Sequence, residues 1–143
     1  MQKTVANIID TKGRDVWSIE ANTSVYEALE EMADKNVGAL VVTSDGELAG
    51  ILSERDYARK VILLSRGSKD TLVSEIMTPD PVTVSKSDTV AACMQLMTDK
   101  RIRHLPVIDD GDVIGVISIG DVVRAVIDEQ KFMIDQLEGY ITG

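Results

Sequence analysis

Gly50-Ile-Leu-Ser-Glu-Arg-Asp56 returns as Gly115-Val-Ile-Ser-Ile-Gly-Asp121, at an offset of 65 residues. Each copy has a glycine, two apolar residues, a serine and, three positions later, an aspartate. The apolar run reads as a buried strand, and the serine stands where a helix begins. Two readings of Ser-x-x-Asp follow. In one it is a helix cap: the serine oxygen accepts a first-turn N–H and the acid faces the positive helix end. In the other it is a ligand site. A helix N-terminus offers free N–H groups to an anion, and an aspartate at a strand–helix junction can accept from both hydroxyls of a ribose.

The duplication extends outward from the motif. At the same offset Val25 pairs with Val90, Met32 with Met97, Leu40 with Leu105, Val42 with Val107, Asp45-Gly46 with Asp110-Gly111 and Arg59 with Arg124. Val5-Ala-Asn-Ile-Ile9 resembles Val73-Ser-Glu-Ile-Met77 at an offset of 68, so the first copy carries three extra residues in the loop Asp10 to Asp15. Each repeat reads β-α-β-β-α. Val16–Ile19 is a strand, and Asn22-Thr-Ser24 offers caps for a helix from about Val25 to Lys35, whose Val25, Ala28, Leu29 and Met32 make one apolar face. Strands at Ala39–Thr43 and Leu48–Ser53 flank an Asp45-Gly46 hairpin turn, and a second helix covers about Glu54 to Leu64. In the second repeat Val82–Val84 is the strand, followed by a helix over Thr89–Asp99. Strands at His104–Ile108 and Val113–Ser118 precede a last helix that begins near Ile119. Cys93 matches Ala28 and reads as a small core residue. The expected organisation is a first repeat over residues 5–66, a linker over 67–72, a second repeat over 73–128 and a helical tail over 129–143. One such unit buries too little surface to be comfortable alone. The expected fold class is therefore α+β, with two β-α-β-β-α repeats packed sheet to sheet about a pseudo-twofold axis and ligand clefts between them.

Composition narrows the function. The chain has 143 residues, 44% of them apolar but only 3% aromatic, so Val, Ile, Leu, Ala and Met must build the core. A net charge of −9 argues against general nucleic-acid or membrane-surface binding. Cys93 and His104 are each the single residue of their type, and no Cys/His cluster has metal-ligand spacing. Residues 1–10 lack a signal-peptide pattern, and no apolar run approaches a membrane span. A cytoplasmic protein is expected. In the tail, Phe132, Met133, Leu137, Tyr140 and Ile141 share a helical face, which either folds back on the repeats or meets a second subunit.

Taken together, Gly50–Asp56, Gly115–Asp121, Asn36–Val42, Ile76-Met-Thr-Pro79 and Arg101-Ile-Arg-His-Leu-Pro-Val107 resemble the tandem cystathionine-β-synthase (CBS) domain pair, or Bateman module. The tail is similar to that of stand-alone bacterial CBS-pair proteins ending in Gln-Leu-Glu-x-Tyr-Ile-x-Gly. The resemblance implies binding of AMP, ADP, ATP, NAD(H) or S-adenosylmethionine, without a metal. It also implies a site one of Ser53, Arg55, Asp56, Ile76, Met77, Thr78, Ile102, Arg103, His104 and Pro106. Site two would take Ser118, Asp121, Ile9, Val37, Gly38 and Ala39. The aspartates accept from ribose, the serines seat ribose or phosphate, and the strand residues enclose adenine. Arg55, Arg103 and His104 suit phosphates at site one. Gly120, Gly38 and Ala39 stand at the matching places of site two, which either leans on Arg59 or Arg124 for charge or leaves its phosphates in solvent. The bland alternatives are a solvated strand edge for Arg101 and Arg103, and a packed side chain for His104.

The function expected from these residues is a non-enzymatic adenine-nucleotide sensor that signals to a partner protein, working as a homodimer. The alternatives are an adaptor with empty sites, or an enzyme acting on adenosine nucleotides. Against the last, the sequence offers no nucleophile–base pair, metal cluster or Walker loop.

Overall fold

The computed structural model describes residues 2–142, with side chains as far as Tyr140. Its elements are α1 (Val5–Lys12), β1 (Ser18–Glu20), α2 (Val25–Lys35), β2 (Ala39–Ser44), β3 (Glu47–Ser53) and α3 (Glu54–Tyr57). There follow α4 (Val73–Ile76), β4 (Thr78–Pro79), α5 (Val90–Lys100), β5 (His104–Asp109), β6 (Asp112–Ser118) and α6 (Ile119–Thr142). The class is mixed α+β. The chain divides into two compact units, one running from Asp15 to Val82, the other joining the residues up to Arg14 to those from Thr83 onward. Each leading helix therefore sits outside the compact unit that holds the rest of its repeat. Helix α1 belongs with the second motif, and α4 with the first.

In the unit Asp15–Val82, four strands form one sheet in the order β1-β2-β3-β4. Strand β1 is parallel to β2, and the remaining pairs are antiparallel. Ser24 caps α2, its Oγ accepting from the Glu27 N–H at 3.2 Å, and Asn36 ends the helix in the left-handed conformation that asparagine tolerates. Val25, Ala28 and Met32 of α2 pack with Leu40, Val42 and Leu52 of the sheet, and with Val61, Val73 and Ile76. These are the apolar faces that helical and strand periodicity select. Helix α4 is strapped to the start of α2 by Val25 N–H to Thr71 O (2.8 Å) and Val73 N–H to Thr23 O (2.8 Å). The hairpin between β2 and β3 turns at Asp45 and Gly46, both at positive φ, the geometry of a two-residue primed turn.

The other unit repeats this plan with differences. Thr89 caps α5, and Val90, Cys93 and Met97 are buried along it. Val5 N–H to Asp88 O (2.9 Å) and Val90 N–H to Lys3 O (2.9 Å) strap α1 to α5, as α4 is strapped to α2. Asp110 and Gly111 turn the β5–β6 hairpin.

Three expectations are corrected. The strand expected at Val82–Val84 is reduced to a single bridge between Val84 and Val107. The cause is Pro106. In the first unit the Val41 N–H bonds to the Trp17 carbonyl at 3.0 Å, but Pro106 occupies the place of Val41 and has no N–H. The first strand itself lies at Ser18–Glu20, further on than Val16–Ile19. The helix expected from Glu54 to Leu64 is α only to Tyr57, after which Ala58–Ile62 takes π-type bonding. The tail, by contrast, continues α6 without interruption as one helix of 24 residues.

Candidate functional site

Both Ser-x-x-Asp motifs sit where a strand hands over to a helix, and both close on themselves. At the end of β3, Asp56 Oδ2 accepts from the Ser53 N–H (3.0 Å) and hydroxyl (3.1 Å), while Ser53 Oγ accepts from the Asp56 N–H at 3.2 Å. At the end of β6, Asp121 Oδ2 accepts from the Ser118 N–H at 2.8 Å and Ser118 Oγ from the Asp121 N–H at 3.2 Å. This is the reciprocal capping arrangement, with aspartate in place of the usual glutamate. The cap reading is thus realised in both copies. It also fixes a carboxylate at each junction, which is what the ligand reading requires.

Around Asp56 the first unit gathers much of site one. Thr78 pairs with Ile51 and Pro79 with Gly50, so β4 runs alongside the end of β3. Met77 lies against Gly50, where an added Cβ would meet its sulfur at 2.8 Å. Lys60 Nζ donates to the Ile76 carbonyl at 3.0 Å and stands 3.6 Å from Asp56 Oδ1. Of the residues assigned to site two, Val37, Gly38 and Ala39 lead into β2 in this same unit. Ala39 pairs with Ser53, and the Gly38 carbonyl accepts from the Glu54 N–H at 3.0 Å.

The second unit mirrors this. Ile102, Arg103, His104 and Pro106, assigned to site one, lead into β5. His104 pairs with Ser118, and the Arg103 carbonyl accepts from the Ile119 N–H at 2.8 Å. Arg103 is exposed, His104 half-buried and Pro106 buried. Ile9 is buried, and its Cδ1 would be 2.6 Å from a Cβ added at Gly115.

Asp121 differs from Asp56 in its cations. Lys12 Nζ reaches its Oδ2 at 2.7 Å and also donates to the Val116 carbonyl at 2.6 Å, while Arg124 donates to Oδ1 at 2.6 Å. The Asp121 side chain is only 8% exposed. Burial pushes its carboxyl up, but the Lys12 hydrogen bond and charge, with the Ser118 backbone and side chain, outweigh this and hold it below the ordinary value. Arg124 was one of two arginines named for this site from sequence. Lys12 and Lys60 were not. Lys60 was legible, since it stands four residues after Asp56 on a helical path. Lys12 was not, because it lies 109 positions from Asp121. A cavity of about 230 Å³ opens beside these groups in the same unit, lined by Lys3, Asn7, Thr11, Lys12, Asp121 and Arg124 among others. Cys93 is buried in α5, and burial first, then Asp88, raises its thiol to about 11. Among the described residues, no group of His, Cys, Asp and Glu gathers to hold a metal.

The CBS domain family model matches residues 5–63 and again 73–128. The chain belongs to the CBS domain family. It is a CBS pair, a regulatory module. A mitochondrial CBS domain-containing protein of Arabidopsis thaliana is 47% identical over 98% of this chain and 72% of its own length. A solved CBS-domain protein of Burkholderia ambifaria is 49% identical with a TM-score of 0.85, covering 90% of this chain and 96% of that one. A CBS domain protein of Pyrobaculum aerophilum, solved in complex with AMP, is 25% identical with a TM-score of 0.73, covering 82% of this chain and 88% of that one. No helix among the described residues is long and apolar enough to cross a membrane. The name of the Arabidopsis protein places a relative outside the cytoplasm, so the cytoplasmic expectation is not a property of the family as a whole.

Proposed function

We propose that this CBS pair is a non-enzymatic sensor of an adenine nucleotide. The observation that carries the reading is the duplicated carboxylate, Asp56 and Asp121, each fixed by its serine at a strand–helix junction. The Pyrobaculum relative, with AMP bound, supports adenosine compounds as the ligand class. ADP, ATP, NAD(H) and S-adenosylmethionine belong to the same class. In this reading site one takes Ser53, Arg55, Asp56, Ile76, Met77, Thr78, Ile102, Arg103, His104 and Pro106. Site two takes Ser118, Asp121 and Ile9 with Val37, Gly38 and Ala39. Binding shifts a conformational equilibrium that a partner protein reads, and a ligand can do this only by differential affinity for the two states. At a hundred times its dissociation constant it favours the competent state by about 2.7 kcal/mol.

Calorimetry with AMP, ATP, NADH and S-adenosylmethionine tests the reading. Binding of at least one in the micromolar range supports it. No heat from any of them at millimolar concentration ends it and leaves the adaptor reading, in which the two motifs serve as helix caps alone. Turnover of a bound nucleotide, lost in Asp56→Ala, would make the protein an enzyme instead.

A further inference from the structure

We infer that Lys12 is a specificity-determining residue of site two, an internal counter-ion that yields Asp121 only to a ligand carrying its own negative charge. This rests on the adenine-nucleotide reading and concerns which nucleosides the second site accepts.

A carboxylate oxygen has room for about two donors. Asp121 Oδ2 has two, the Lys12 ammonium at 2.7 Å and the Ser118 N–H at 2.8 Å. Oδ1 takes the Arg124 guanidinium at 2.6 Å. Three of the four places are thus taken; a ribose diol that engages both hydroxyls needs two, so it must displace a donor, and the side-chain cations are the donors free to turn away. A neutral nucleoside replaces a charge-assisted bond with an ordinary one, roughly half as strong. It also leaves the ammonium bonded to the Val116 carbonyl, 2.6 Å away, with no anion to balance its charge. A phosphorylated nucleoside supplies a new anion for the displaced cation, and the exchange balances. The cavity of about 230 Å³ beside Asp121 is lined by Lys12 and Arg124 themselves, so both have space to turn away from the carboxylate. Gly120 adds to that space, because its missing side chain would come within 3.4 Å of the Arg124 guanidinium.

Site one is built otherwise. Lys60 is held by the Ile76 carbonyl at 3.0 Å and stays 3.6 Å from Asp56 Oδ1. A ribose hydroxyl can approach that oxygen without breaking a short ion pair. The second site therefore discriminates against neutral nucleosides by a route the first does not use.

The test uses the full chain carrying Asp56→Ala, so that site two alone reports, with AMP and adenosine as calorimetric probes. AMP is expected to bind about tenfold to a hundredfold more tightly than adenosine. Adding Lys12→Met should draw the two affinities together, raising that of adenosine while lowering that of AMP. Lys12→Arg should keep the original preference, which separates counter-ion exchange from a merely structural role. An AMP-to-adenosine ratio unchanged by Lys12→Met overturns the inference. So does an Asp56→Ala protein that binds neither probe while the native protein binds AMP, which leaves the adenine-nucleotide reading standing on site one. If the native protein binds no adenosine compound, that reading fails and the inference with it.

Discussion

Gly50 lies directly against Thr78: a Cβ added to Gly50 would come within 2.6 Å of the Thr78 carbonyl oxygen and 2.8 Å of the Met77 sulfur. The missing side chain is what lets β4 close on β3 and bring Ile76, Met77 and Thr78 beside Asp56. At Gly115, the matching glycine, the obstacle is instead the tip of the Ile9 side chain, also at 2.6 Å. A backbone carbonyl in a strand pair cannot move aside as a side-chain tip can. Gly50→Ala is therefore expected to lose about 1–3 kcal/mol of stability by overpacking, and Gly115→Ala less. Urea unfolding of the two variants measures this. Equal losses would show that the β3–β4 approach is not the tighter of the two.

Asp56→Ala is expected to abolish the tighter step of an AMP titration, because the proposed site one joins Arg55, Arg103 and His104 to Asp56. Asp121→Ala should spare that step. Arg103→Ala should weaken AMP about tenfold or more while changing adenosine little, the scale of one charge-assisted bond. Loss of the tighter step in Asp121→Ala would invert the order of the sites.

Acid should unfasten Asp121. Its carboxyl is held below the ordinary value of 3.8, so its contribution to stability is present above that pH and is lost as pH falls through the folded-state value. Asp121→Asn is expected to be less stable than the native chain near neutrality. The gap should narrow as pH drops below 3.8. A gap independent of pH across that range would mean that ionisation of Asp121 adds nothing to the fold.

Cys93 is fully buried, and burial raises its thiol to about 11. At pH 8 an aromatic disulfide reagent is expected to label the native protein only as fast as it opens, and to label it at once in denaturant. Rapid labelling without denaturant would remove Cys93 from the core.

Along the tail Phe132, Met133, Ile134, Leu137 and Tyr140 are more than half exposed, so the described residues do not fold back on the chain. Ile141, expected on the same face, has no described side chain. A row of apolar side chains on one helix suits a second copy of the chain. Light scattering at micromolar concentration is expected to give about twice the 15.6 kDa chain mass. Truncation after Asp128 should lower that mass. A monomer before truncation refutes the dimer, and a dimer surviving truncation refutes only the part played by the tail.

The repeat makes most of this fold legible in the sequence. Val25, Ala28 and Met32, with their counterparts Val90, Cys93 and Met97, declare two helical faces by spacing alone, and all six are buried. Asp45-Gly46 and Asp110-Gly111 declare the hairpins, because positive φ favours those residue types. What stayed hidden were relations between distant positions. Val73–Ile76 is a single turn with too few residues to show a period, and its helix is held by bonds to Thr23 and Ala21 that no local pattern records. Pro106 was visible, but its effect depends on the Val41–Trp17 bond it cannot copy. Lys12 was hidden for the same reason, since nothing near it in sequence points to Asp121.

Helix α6 begins at Ile119, carries Asp121 in its first turn and runs unbroken to Thr142. At 1.5 Å per residue its 24 residues make a rod of about 36 Å. Tilting such a rod by about 5° at its base carries the far end through roughly 3 Å, from the rise per residue alone. The carboxylate is at the base, and Leu137 and Tyr140 are near the tip. A tilt set off at Asp121 would therefore be magnified along the helix, so that a displacement slight at the carboxylate would be several times larger at Leu137 and Tyr140.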